Sequence, residues 1–302
     1  MTHPFLWVPF TLVAALMQVL RNAFQAKLTR RIGTLGGTQV RFIYGLPFAL
    51  VLLAGHLLLF PQALPPITAS AIGWASLGAI SQIVATALML VVMGKHDFGL
   101  AYAYIKTEPV SVALLGFVLI GDNLPLLGWA AVIVVTFGVM LASLQKGGKG
   151  TGAFDWPPML TGIAGGALFG LSAICFRAAI HALPEGGFIL RSLTMLAISL
   201  AIQSAMLAGW FIARGYEPLL GSLREWRLSI VAGLFGALAS ACWFIGFSLT
   251  IAANVRTLAL VEMPIVALAS RWVSGRWLSG REWLGFVLVT LGVLLLLLAH
   301  PA

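Results

Sequence analysis

The sequence predicts an all-α integral membrane protein: ten transmembrane helices arranged as two inverted five-helix repeats. Three observations predict it. The composition is 60% hydrophobic and only 9% charged, with a mean hydropathy of +1.01, whereas a soluble chain carries roughly 25% charged residues. Apolar runs long enough to cross a bilayer recur along the 302 residues. The second half repeats the first at fixed offsets. With 18 Lys+Arg and 9 Asp+Glu to cover the whole chain, soluble enzymes and nucleic-acid-binding domains are excluded. The net charge of +9 does not mark a polyanion partner, because the cations lie between apolar runs, where the positive-inside bias accounts for them.

A helix needs about 20 apolar residues to cross about 30 Å of hydrocarbon, and breakers mark where each run stops. Span 1 covers about 5–27; with no basic leader or small-residue cleavage site it reads as a membrane helix, not a cleaved signal. It ends at Arg30, Arg31 and Gly33, and span 2 (about 35–59) ends at Pro61, Pro65 and Pro66. Span 3 (about 69–93) stops at Gly94, Lys95 and Asp97, and span 4 (about 98–119) at Gly121, Asp122 and Asn123. Span 5 (about 125–143) runs into a Gly- and Lys-rich stretch, Gln145 to Asp155, read as a flexible linker. Span 6 (about 157–180) carries the ridge Gly162, Gly166, Gly170, which permits close helix packing. Spans 7 (about 186–212) and 8 (about 227–249) follow; span 9 (about 254–273) ends at Gly275 and Arg276, and span 10 covers about 282–299. No connection is long enough for a soluble domain. The units are therefore residues 1–145 and 157–302, joined by linker 146–156.

A shift of 154 pairs Glu108 with Glu262, Gly121 with Gly275, Trp129 with Trp283, Thr136 with Thr290 and Gly138 with Gly292, giving 12 identities over the 34 positions 108–141 without a gap. A shift of 150 pairs Lys27 with Arg177, Gly36 and Gly37 with Gly186 and Gly187, and Arg41 with Arg191. Five spans per repeat is odd, so the second copy enters the membrane from the opposite side. Inverted repeats of this kind typify secondary transporters, whose substrates sit near the midplane. Both units lie in one chain, so a monomer suffices. The connections after the odd-numbered spans, with Arg41 close by, hold 13 of the 18 Lys and Arg; the positive-inside rule makes that side cytoplasmic and places both termini outside.

Two five-span repeats, an arginine early in the second span of each (Arg41, Arg191), and a glutamate with a nearby proline in the fourth (Glu108 and Pro109, Glu262 and Pro264) resemble the drug/metabolite transporter superfamily, EamA-like family. The resemblance covers nearly the whole chain. It implies a multi-pass inner-membrane carrier of small metabolites, often an exporter of amino acids or related organic acids. Two features depart from the family. The acid kept in Gly121-Asp122 is replaced by a base in Gly275-Arg276, and the charge bias opposes the family's usual cytoplasmic termini.

Ionisable groups inside a bilayer are costly, so each is a functional candidate. Gln18, Arg21, Asn22 and Gln25 are spaced i, i+3, i+4, i+7 and share one helical face in span 1. Either Arg21 binds a carboxylate while the amides orient it, or the four form an interhelical network, or Arg21 snorkels toward the basic surface. Span 4 offers Tyr102 and Lys106 on one line and Tyr104 and Glu108 on the next, with a kink expected at Pro109. Glu108 and Glu262 read as proton-coupling carboxylates, as structural salt bridges, or as substrate contacts. The salt-bridge reading pairs Glu108 with Lys106 or Arg21, and Glu262 with Arg256 or an arginine of another helix. Arg41 and Arg191 read as carbonyl caps or headgroup anchors.

Gln82 with Thr86, and Ser240, Trp243 and Phe247, form shorter lines that would border a pocket. The remaining tryptophans, Trp7 among them, read as interfacial anchors. The five histidines show no ligand spacing, and Cys175 and Cys242 read as small buried hydrophobes. No metal and no cofactor is expected, and with no Walker sequence present any work would come from a gradient, with protons as possible coupling ions, or from substrate flow. The cavity is expected between spans 1, 3, 4, 6, 8 and 9, with Gln18, Arg21, Asn22, Gln25, Gln82, Tyr102, Lys106, Trp243 and Arg256 as substrate-binding residues. A passive facilitator or a lipid-linked sugar flippase of the same fold is the alternative, and a membrane receptor or scaffold the alternative outside transport.

Overall fold

The computed structural model describes residues 4–95, 105–143, 156–264 and 279–299, and among them helices and turns make up the chain, with no strand. The helices are α1 (Trp7–Ile43), α2 (Gly45–Leu59), α3 (Ala69–Lys95), α4 (Glu108–Ile120), α5 (Leu126–Ser143), α6 (Trp156–His181), α7 (Phe188–Arg214), α8 (Glu217–Arg224), α9 (Trp226–Leu249), α10 (Ala252–Ala259) and α11 (Gly280–Ala299). By length and apolar composition six helical stretches among the described residues can cross a membrane: Trp7–Leu59, Ala69–Val92, Met159–His181, Phe188–Arg214, Trp226–Leu249 and Gly280–Ala299. Glu108–Ile120 and Leu126–Ala142 are shorter and equally apolar. Leu58, Val118, Leu126 and Leu298 are all more than 70% exposed on the outer surface, where lipid takes the place of water.

The first stretch is not one rod. Gly33 adopts φ 76, ψ 173 inside α1, a conformation that a Cβ would strain. The Gln25 Nε2 donates to the Gly37 carbonyl at 2.7 Å; twelve residues along a straight helix would be about 18 Å apart, so the chain folds back at Gly33. Gly37 has no Cβ to collide with Thr29 across that turn. The same end of the molecule carries α8, a short helix in what reads from sequence as a connection between spans 7 and 8. The Gln39 amide holds it by donating to the Pro218 carbonyl at 2.8 Å and to Ser222 Oγ at 2.9 Å. An exposed ion pair, Arg31 to Glu225 at 2.7 Å, joins the α1 turn to the α8–α9 junction.

Lipid tails are as apolar as leucine, so close backbone approach at small residues is what draws membrane helices together. The main contacts follow this rule: α1 packs along α9, α3 along α6, and α5 along α11. A Cβ on Gly233 of α9 would stand 2.6 Å from Tyr44 Cβ, and one on Gly138 of α5 would stand 2.8 Å from the Gly285 carbonyl of α11. The ridge on α6 meets the start of α4: a Cβ on Gly166 would lie 2.7 Å from the Ile105 carbonyl, and one on Gly170 3.2 Å from Val112.

Two helices are interrupted at positions that correspond under the shift of 154. Lys106 and Thr107 form a turn before α4, and Leu260 and Val261 form a turn after α10. Each break comes just before a proline, Pro109 or Pro264, which has no N–H for the carbonyl four residues back. The kink thus falls ahead of each proline, and the first turn of the next helical segment begins with Glu108 or Glu262. Trp7 departs from the interfacial role expected of it: its side chain is 1% exposed and packs in the main apolar cluster. Trp210, Trp226 and Trp283 do lie on the surface, the first two under the guanidinium groups of Arg214 and Arg227.

Candidate functional site

The breaks in the fourth and ninth segments bring opposite charges from the two halves together. Lys106 Nζ donates to Glu262 Oε1, and Arg256 Nε lies 3.0 Å from Glu108 Oε1. Each pair takes its cation from one half and its carboxylate from the other. These partners differ from those expected from sequence, where Glu108 is matched with Lys106 or Arg21 and Glu262 with Arg256 or an arginine of another helix. Side chains on one turn of a broken helix diverge, and the facing segment supplies the counter-charge. All four residues are buried. Glu108 sits at the start of α4, where the positive end of the helix dipole complements its charge.

A cavity of about 20 Å³, room for a single water, opens beside these pairs and is lined by Gln18, Arg21, Asn22, Met89, Ile105, Lys106, Glu108, Phe169 and Arg256. It brings together side chains from α1, α3, the α4 break, α6 and α10. Arg21 is 2% exposed and so does not snorkel; its Nε and Nη2 donate to Asn22 Oδ1 at 3.2 and 2.8 Å. Trp243 of α9 stands behind the cavity wall: the Arg256 guanidinium lies 4.6 Å from its ring centre and 5.3 Å from that of Phe247, which holds the cation by its aromatic faces.

Other expected residues lie elsewhere. Gln25, a turn beyond Asn22, donates to the Gly37 carbonyl and closes the α1 turn. Gln82 accepts from Gln203 Nε2 at 2.9 Å and ties α3 to α7. Tyr102 and Tyr104 lie outside the described residues, as does most of the linker. Pro109 is in the first turn of α4 and Pro264 closes the described part of its segment. Arg41, which reads from sequence as a carbonyl cap or a headgroup anchor, is 5% exposed; its Nη1 donates to Thr86 Oγ1 at 3.3 Å and it lies within electrostatic reach of Arg21, Arg256 and Glu108. Its equivalent Arg191 is only half-buried. The apolar lining residues Met89 and Phe169 carry no sequence signal that separates them from ordinary core.

A second ionic centre ties one end of the molecule. The Arg177 guanidinium of α6 reaches both oxygens of Asp122, in the α4–α5 turn, at 3.2 Å. Its Nη1 also donates to the carbonyls of Phe247 at 3.0 Å and Thr250 at 3.2 Å, at the end of α9, and contacts His181 Nε2 at 2.7 Å.

Many apolar helices enclosing a buried ionic site mark a multi-pass membrane protein. Residues 156–298 match the EamA-like transporter family, which is part of the drug/metabolite transporter superfamily. No curated protein matches the chain. Solved structures do: one, titled only "Crystal structure of protein", superposes with a TM-score of 0.67 at 16% identity, covering 97% of both chains. At that identity it shares the fold alone.

Proposed function

We propose that this chain is a secondary transporter that moves a small polar metabolite, an amino acid or related organic acid, across the cytoplasmic membrane by alternating access, most simply as an exporter. The observation that carries the reading is the buried cavity where Gln18, Arg21, Asn22, Lys106, Glu108 and Arg256 meet. Polar groups of this kind inside a bilayer are retained for transport paths. In this reading the ten spans form two inverted five-helix repeats that part and close around the cavity. Two features favour that symmetry: the matching breaks at Lys106–Thr107 and Leu260–Val261, and the packing of α1 on α9 and of α3 on α6, contacts that interchange when one repeat replaces the other.

The substrate carboxylate competes with Glu108 and Glu262 for Arg256 and Lys106. Each exchange loosens a bridge between the halves, so occupancy and opening are coupled. A carboxylate released from its cation takes a proton more readily, which gives a route for proton coupling. With Arg41 and Arg256 buried at the centre, the surface cations still crowd the side of the odd-numbered connections, so this reading keeps both termini outside. One chain holds both repeats, and a monomer is enough.

The test is counterflow of a labelled amino-acid and organic-acid panel in proteoliposomes, with and without a proton gradient, comparing the intact protein with Glu108→Gln and Glu262→Gln. Gradient-driven flux that disappears while exchange survives in a mutant assigns proton coupling to that carboxylate. Downhill flux in the intact protein that ignores the gradient makes the chain a facilitator with structural glutamates. Absence of exchange for every compound contradicts the transport reading.

A further inference from the structure

We infer that the Arg177 centre is a proton-sensitive latch: it holds its end of the molecule closed while His181 is neutral and releases it when His181 takes up a proton. The inference goes beyond the transport reading and needs no substrate for its test.

Arg177 bridges the halves, since it stands on α6 in the second half and reaches Asp122 in the α4–α5 turn of the first. Both contacts to Asp122 are 3.2 Å, longer than the roughly 2.7 to 2.9 Å of a tight charge-assisted bond. The shortest contact of the guanidinium is instead the one from Nη1 to His181 Nε2, at 2.7 Å. A guanidinium has donors only and keeps its proton, so Nε2 accepts, and the imidazole in this contact is neutral with its hydrogen on Nδ1. A proton on Nε2 removes that acceptor and sets two cations at hydrogen-bond distance. His181 is exposed at the end of α6, where water can deliver the proton.

The charged groups facing the imidazole come from three elements: Arg177 from α6 itself, Asp122 from the α4–α5 turn and Arg191 from near the start of α7. The end of α9 adds the Phe247 carbonyl. The turn before α3 adds only the uncharged Thr68, which donates to the Ala182 carbonyl at 3.0 Å. Glu185, exposed in the turn between α6 and α7, makes no ion pair among the described residues. A charged imidazole therefore repels Arg177 and competes with it for Asp122 and the Phe247 carbonyl, the acceptors that tie α6 to the α4–α5 turn and to α9.

The opposite end of α9 has a bridge that cannot respond in this way. Glu225, just before α9, pairs with Arg31 of the α1 turn, and the 24 residues of α9 set the two bridges about 36 Å apart. At the shift of 150 that matches Lys27 with Arg177, Arg31 falls on His181. The same place in the repeat thus holds a permanent cation at one end and, at the other, a side chain of the type whose charge changes between about pH 5 and 8.

The experiment reads a distance. Spin labels on Asn123→Cys and Gly187→Cys, in a chain whose Cys175 and Cys242 are replaced by alanine, flank Arg177 from the two halves; Asn123 is exposed, and a Cβ on Gly187 meets nothing within 4 Å. Their separation is measured by pulsed electron spin resonance in lipid nanodiscs at about pH 8 and about pH 5. The short distance should dominate at the higher pH, and a longer population should appear at the lower and vanish on return. His181→Gln and His181→Asn, neither of which can take up a proton in this range, should both hold the short distance throughout. Equal distributions at the two pH values with His181 present overturn the inference, as does a shift that survives either substitution. Absence of counterflow would overturn transport alone.

Discussion

Lys106 and Arg256 each serve a carboxylate that the other half provides. Removing one partner of such a buried pair leaves an uncompensated charge and costs about 3 to 5 kcal/mol, whereas removing both costs less. Lys106→Met and Glu262→Met should each lower the thermal unfolding midpoint clearly, and the double variant should recover part of the loss; strict additivity would mean that the contact contributes little. At this scale the sequence was informative where chemistry and local spacing coincide. Gln18, Arg21 and Asn22 share a face because helical spacing dictates it, and they do meet at the cavity. Gln25 obeys the same spacing but is claimed by Gly37, a partner visible only once the chain turns at Gly33. The burial of Arg41 was not legible, because its neighbours Thr86 and Gly236 come from helices far away in sequence.

The broken helices depend on how closely α6 can approach. Gly166 lies against the Ile105 carbonyl, the group that Pro109 leaves without its helical donor. Gly166→Val would press a side chain into that carbonyl. Overpacking of this kind costs about 1 to 3 kcal/mol, and exchange should fall further than stability does, because the turn at Lys106 positions the cavity wall; a midpoint shift without loss of exchange would contradict that role. Arg177 joins the α4–α5 turn to the end of α9. Asp122→Asn keeps the shape but removes the charge. It should lower the unfolding midpoint and change the exchange rate, measured by the same counterflow, while leaving substrate preference unaltered. Element boundaries were largely legible, since Gly, Pro and charge clusters mark them. The short helix α8 was not, because its fixing contacts, Gln39 to Pro218 and Ser222, are tertiary.

Across the whole molecule, the repeat in the sequence and the exchange of partners at the centre belong to one design. Each of the two central pairs takes its cation from one half and its carboxylate from the other, so the halves hold one another's buried charges. Helical class and membrane residence followed from composition and run length, but the pairing of charges between halves could not, since the repeat alone does not say which cation faces which carboxylate. The orientation is open to a direct check: a reporter fused at either end should be reached from outside intact cells, and protection of both ends would reverse the assignment.

A transport path requires the cavity lined by Asn22 to open to water and admit the substrate. Asn22→Cys, in a chain whose free cysteines, Cys175 and Cys242, are replaced by alanine, reports on both. The rate of alkylation by a water-soluble maleimide is measured in proteoliposomes, with and without the compound that exchanges best. The cysteine should react, and saturating compound should slow it, while Leu58→Cys on the outer surface is indifferent to the compound. An Asn22→Cys thiol that never reacts, or reacts at the same rate with the compound present, would exclude this cavity from the path.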